Sequence, residues 1–224
     1  MDNNKLDIKT KDVFENYLNN ANFGDVDAQH TVGYLYSIGY GVEQNYEEAI
    51  KWFKLAAENG NASSYFQLGQ MYFEGVGVEQ NYDISIEHLK KASELNSSDA
   101  MYTLGLIYLE GEIAKQDINQ GIKYLLDASK LENFLAEEEL GLMFLYGKHV
   151  EADSVVGMDW LIRSAKHGHN HALFEAYYYR LNKFESRGIT AGANYNKCIE
   201  GMKKVARHNV EEAQEYLKNK NITW

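Results

Sequence analysis

Three histidines stand within five residues, at His167, His169 and His171 in the segment KHGHNHA. Imidazoles are preferred donors for Zn²⁺ and Ni²⁺, and a backbone bend can bring two of them onto one ion. No carboxylate or cysteine lies inside the segment, and a histidine near a helix C-terminus is also favoured by the helix dipole. The segment therefore reads as polar residues at a junction between helices, and no metal site is assigned. The acidic runs Glu137-Glu138-Glu139 and Glu211-Glu212 fall early in helical segments, where negative charge is stabilising. No general acid/base pair is read from them. Cys198 is the single cysteine. It sits in an apolar-patterned helix with no base beside it and reads as packing. No P-loop, HExxH, GxSxG, CxxC or EF-hand pattern occurs. The expectation is a protein without catalytic residues, resident metal or cofactor.

The elements that carry these residues recur. Gly33, Gly69, Gly105 and Gly141 are spaced by a constant 36 residues, as are Gly39, Gly75, Gly111 and Gly147. A period of that size without an insertion marks stacked repeats rather than one enclosed core. Each unit reads as two helices. Helix A of the first carries Ala28, Val32, Leu35 and Tyr36 at helical spacing, and helix B carries Ala49, Trp52, Phe53, Ala56 and Ala57. Asp25, Asn61, Ser97 and Asn133 stand at the A starts, and Asn45, Asn81, Asp117 and Asp153 at the B starts. All are residue types that cap helix N-termini. The glycines of the second set follow helix A as C-caps. Those of the first lie inside it, where glycine costs about 1 kcal/mol against alanine, so close helix approach is expected there.

The units are 25–60, 61–96, 97–132, 133–168 and 169–209. A lead-in and capping helix fill 1–24, and a C-terminal capping helix fills 210–224, making one domain over 1–224. The fifth unit departs, with Tyr177 at the glycine position and five extra residues expected in the turn near 186–192.

Net charge is −11, from 22 Lys and Arg against 33 Asp and Glu. That disfavours nucleic acid and anionic membranes as partners and permits a basic protein. The N-terminal MDNNKLDIKTKD lacks the apolar core of a signal peptide, and no apolar run is long enough to cross a bilayer. A cytoplasmic location is expected.

The pattern Ala28, Val32-Gly33, Leu35-Tyr36, Gly39, Gly41-Val42, Ala49, Trp52-Phe53, Ala56-Ala57, Gly60 resembles the Sel-one-like repeat, a relative of the tetratricopeptide repeat. Ile113 and His149 replace the second loop glycine in units three and four. The resemblance implies an all-α, right-handed α/α superhelical solenoid with A helices lining a concave face. It also implies an adaptor or scaffold, with bacterial members including immunity proteins against secreted effectors. A cysteine-rich branch linked to β-lactam handling is not matched, because its paired cysteines are missing.

On each A helix a second face, separate from the apolar one, is expected to line the groove. Its residues are His30 and Tyr34; then Phe66, Gln70, Phe73 and Glu74; then Asp99, Tyr102 and Leu106; then Glu138, Leu142 and Tyr146; then Phe174 and Tyr178. The row holding Phe73, Leu109, Leu145 and Leu181 is the part most open to burial between neighbouring helices. An apolar surface ringed by acids suits a peptide or helix with apolar knobs and Lys/Arg flanks, such as a segment of a toxin or effector. A hydrolase built on the repeats and a self-assembling structural protein are the alternatives.

Overall fold

The computed structural model describes residues 8–224, which form twelve α-helices and no strand. The polar lead-in at 1–7 lies outside the described residues. Two compact units divide the chain at Asp117, in the turn of the third repeat.

The first unit holds α1 (Ile8–Asn22), α2 (Val26–Ile38), α3 (Tyr46–Glu58), α4 (Ala62–Glu74), α5 (Tyr82–Glu94) and α6 (Ser98–Glu110). The first helix, α1, fills most of the 1–24 segment expected to hold a lead-in and a capping helix. Caps fix the other boundaries. The side chains of Asp25, Asn45, Asn61, Asn81 and Ser97 each accept a backbone N–H from the first turn of the helix they open. Gly39, Gly75 and Gly111 close α2, α4 and α6 in the left-handed conformation, donating to the carbonyls of Leu35, Met71 and Ile107. One core cluster joins Phe14 and Ala21 to Ala28, Val32 and Leu35. A second joins Ala49, Phe53 and Ala57 to Leu68 and Met71.

The mid-helix glycines are there for close approach. A Cβ at Gly33 would lie 2.8 Å from the Phe53 ring, and one at Gly69 would lie 2.9 Å from Leu89. Carbon atoms prefer about 3.5–4.0 Å, so any side chain would push helix A away from helix B.

The second unit holds α7 (Ile118–Lys130), α8 (Phe134–Tyr146), α9 (Ser154–Lys166), α10 (Asn170–Glu185), α11 (Ala193–Arg207) and α12 (Glu211–Asn219). Asn133 and Asp153 cap α8 and α9. The turn of the fourth repeat keeps its left-handed residue although His149, with φ of 67°, has replaced glycine. In repeat four the close contact is doubled: a Cβ on Gly157 of α9 would lie 2.8 Å from both the Gly141 carbonyl oxygen and the Leu145 nitrogen of α8.

The fifth repeat differs in a way the sequence reading misplaced. Its turn is seven residues long, as in the first repeat (186–192 against 39–45), and the five extra residues lengthen the helices instead. Helix α10 has 16 residues and α11 has 15, against 13 in α2 and α3. The tight contact is also inverted. Tyr177 fills the glycine position on helix A, and helix B answers with Gly201, where a Cβ would lie 2.2 Å from the ring. Ala213 and Leu217 of α12 are fully buried against this repeat, as expected of a terminal helix that covers an open end.

Candidate functional site

The outward surface of the A helices follows the backbone geometry. Positions four residues apart share a helix face, so Tyr34 and Ile38 stand together on α2, Gln70 and Glu74 on α4, and Leu142 and Tyr146 on α8. Tyr34 is 47% exposed, Ile38 49% and Tyr146 56%. In the first unit, Gln70, Phe73 and Glu74 meet Gly69, Leu89 and Thr103 around a hollow of about 150 Å³. Asp99 is exposed nearby in sequence on α6, while Tyr102 and Leu106 are half-buried. Phe66 is half-buried on α4, and Tyr178 is half-buried on α10.

Three residues assigned to this surface do something else. His30 is partly buried; its Nδ1 lies 2.9 Å from the Ser64 hydroxyl and its ring rests on Phe53. Burial lowers its pKa, against the smaller effect of the Asp27 charge, so it ties α2 to α4 as a neutral imidazole. Phe174 is only 7% exposed and stacks on Tyr178 at 5.4 Å inside the last core cluster. Glu138 is paired with histidines, as described below. Leu109, Leu145 and Leu181 are buried as the sequence anticipates for their row, with Phe73 half-buried against Tyr82.

The acidic run on α8 is more than a response to a helix dipole. Glu137 is fully buried and pairs with Arg163 of α9 and with His167 Nδ1, the latter at 2.7 Å. Glu138 takes the two other histidines: His169 Nε2 lies 2.9 Å from Oε2, and His171 Nδ1 lies 2.6 Å from Oε1. Glu138, His169 and His171 each offer one donor atom, all within 4.8 Å of one another. This could hold a metal ion. Burial raises the Glu138 pKa, but hydrogen bonds and charge from His171 and His169 outweigh it and hold the carboxyl below its ordinary value. The hydrogen bond to Glu138 raises His171. Glu175 is pushed up by burial and by the charges of Glu138 and Glu212, with His171 pulling the other way.

A further concavity of about 390 Å³ lies in the lengthened hairpin, lined by Tyr177, Arg180, Lys183, Phe184, Arg187, Asn194, Lys197 and Cys198. Residues 180–207 carry seven Lys/Arg against two Asp/Glu in a chain of net charge −11. The hollow can accept an anionic group. Cys198 at its floor is buried, and burial raises its pKa over the opposing pull of Arg180 and Lys197. It is a packing thiol, as its surroundings in sequence imply.

Among the described residues no helix is long and apolar enough to cross a membrane. The Sel1 repeat model matches residues 26–61, 62–97, 98–133 and 135–169. No curated protein sequence matches the chain significantly. Among solved structures, a Sel1 repeat protein from Oxalobacter formigenes is 26% identical, covering 94% of this chain and 88% of its own, with a TM-score of 0.78. The protective antigen c5321 of uropathogenic Escherichia coli, described as displaying an SLR fold, is 27% identical with a TM-score of 0.75; 92% of this chain aligns to 43% of that one. This chain therefore spans less than half of c5321. The immunity protein Pa5087 of Pseudomonas aeruginosa is 22% identical over 73% of this chain and 61% of its own, with a TM-score of 0.54. With four consecutive repeats matched over more than half of its length, the chain belongs to the Sel1 repeat family.

Proposed function

We propose that the protein is a non-catalytic adaptor that holds a segment of another protein against the outward rows of its A helices. Sel1 repeats form a protein-interaction fold. The observation that carries the finer reading is the exposure of Tyr34 and Ile38 on α2 and, separately, of Tyr146 on α8, with Glu74 and Asp99 exposed on the A helices α4 and α6. Large aromatic side chains held out on a rigid helix are the usual anchors of protein interfaces. Exposed acids on the A helices, in a chain of net charge −11, favour a partner segment with apolar knobs and Lys/Arg flanks, and steer its approach. The immunity role named for the Pseudomonas aeruginosa neighbour supports one specific form of this reading, neutralisation of a cognate effector.

Affinity capture from the encoding organism tests the reading, comparing the wild type with the double variant Tyr34→Ala/Tyr146→Ala. Both side chains are about half exposed, so the fold is retained. Truncating an interface anchor costs about 2 kcal/mol or more, so the variant should lose most of the captured partner. Equal recovery by both proteins would remove this surface from the account.

A further inference from the structure

Every A helix from α2 to α8 opens on a residue whose side chain caps it: Asp25, Asn61, Ser97 and Asn133 accept from the first turn. One period on, the same position of α10 is His169, and it makes no side-chain cap bond. A helix left without its side-chain cap is less stable. The imidazole is instead turned to Glu138 on α8, 2.9 Å away, where it stacks on Phe134 with ring centroids 4.9 Å apart. His171, two residues along, brings Nδ1 to 2.6 Å from the other oxygen of the same carboxylate, and its ring rests on Phe174 at 5.6 Å. Two imidazole nitrogens and one carboxylate thus converge with their rings held by aromatic neighbours. The three side chains are partly sheltered, Glu138 being 12% exposed, His169 22% and His171 35%.

We propose that Glu138, His169 and His171 form a binding site for a divalent transition-metal ion of the zinc or nickel class. Neutral imidazole and carboxylate are donors such ions accept, and two histidines with one carboxylate leave a coordination position open. On binding, the ion would take the imidazole nitrogens that face Glu138, each ring then keeping its proton on its other nitrogen and releasing any second proton to solvent. Glu212 Oε1 on α12 lies 4.0 Å from His171 Nε2. That is the ring nitrogen away from the metal, and the separation is too long for a hydrogen bond, so Glu212 acts on the site only through its charge. The ion would fasten α8 to α10 at the place where the N-cap is missing. His167 has its own partner, Glu137, and takes no part. The site stands independently of the adaptor reading.

The test is isothermal titration of Zn²⁺ and of Ni²⁺ into the full chain, made without a polyhistidine tag and stripped with chelator. The wild type should bind one equivalent of at least one of the two ions and melt at a higher temperature with it. His169→Ala, His171→Ala and Glu138→Gln should each abolish the saturable binding, with helicity by circular dichroism unchanged. His167→Ala should leave it intact. Absence of stoichiometric binding of both ions by the wild type overturns the proposal. So does loss of binding in His167→Ala with full binding in His169→Ala.

Discussion

Gly201→Ala should be harmful in the native protein and helpful in one particular variant. The methyl group would lie 2.2 Å from Tyr177 Cζ and 2.5 and 2.6 Å from the two ring carbons beside it. Carbon pairs rest at about 3.5–4.0 Å, so the ring must move by more than an ångström or α10 and α11 must part. Overpacking of this kind costs about 1–3 kcal/mol. Against it, alanine within a helix is about 1 kcal/mol better than glycine. The net expectation is a loss of up to about 2 kcal/mol. In a Tyr177→Ala background the ring is gone and only the helix-propensity gain remains. The same Gly201→Ala substitution should then stabilise by about 0.5–1 kcal/mol. Urea unfolding followed by far-ultraviolet circular dichroism, run on the wild type, both single variants and the double variant, measures this coupling. A Gly201→Ala penalty of equal size in both backgrounds would refute the idea that the fifth repeat exchanged the small residue of helix A for one on helix B.

Three more outcomes follow from the packing. Gly157→Ala sets a methyl 2.8 Å from backbone atoms of both Gly141 and Leu145, which cannot rotate aside; it should destabilise by at least about 2 kcal/mol in the same assay. Asn81→Ala removes the cap that accepts the Ile84 N–H and should cost about 1 kcal/mol with no change in helix boundaries by amide exchange beyond the first turn of α5. Glu185 accepts hydrogen bonds from the Tyr195 and Tyr216 hydroxyls and from Lys220. Burial raises its pKa, but these three bonds outweigh that and set it below the ordinary value. An unfolded glutamate titrates near 4.3, so the native state binds fewer protons in the acid range. The stabilisation is complete above that pH and is lost as pH falls through the native pKa. Glu185→Gln should therefore cost about 1.5–3 kcal/mol at pH 7 and progressively less below pH 4, by unfolding at each pH; a constant difference would count against the carboxylate as the anchor of α12.

Much of the architecture is legible in sequence because its determinants are local. A cap at Asn45 or Asn81, a left-handed glycine at Gly39 or Gly75 and an apolar stripe such as Ala49, Phe53, Ala56 each act within one or two turns, and the 36-residue period repeats them. The fifth repeat was harder to read. Tyr177 broke the glycine pattern, and its partner Gly201 lies on the other helix, outside any local window. Five extra residues look like a longer loop until hydrogen bonding shows them extending α10 and α11. The carboxylate partners of the histidine cluster, Glu137 and Glu138, lie outside its segment for a similar reason, 30–33 residues back along the chain. Contacts at that offset recur through the protein, as between His30 and Ser64 and between Asp27 and Asn61. They arise because successive A helices stack. Pairing each position with the one about 34 residues on is the signal that would have placed Glu138 beside His171. The outward surface was readable only in part, since helical spacing identifies a face but not how far a neighbouring helix covers it. Tyr34 stays exposed, and Phe174 at the row of His30 and Phe66 does not.

The central claim, that the A-helix surface is where a partner sits, is tested most directly by site-specific photocrosslinking. A photoreactive amino acid is placed at Tyr34 or Tyr146 on A helices, and in parallel at Leu55 or Ile162, which are exposed on B helices. The account predicts one discrete crosslinked partner from Tyr34 or Tyr146 and none from Leu55 or Ile162; crosslinks from the B-helix positions alone would contradict it.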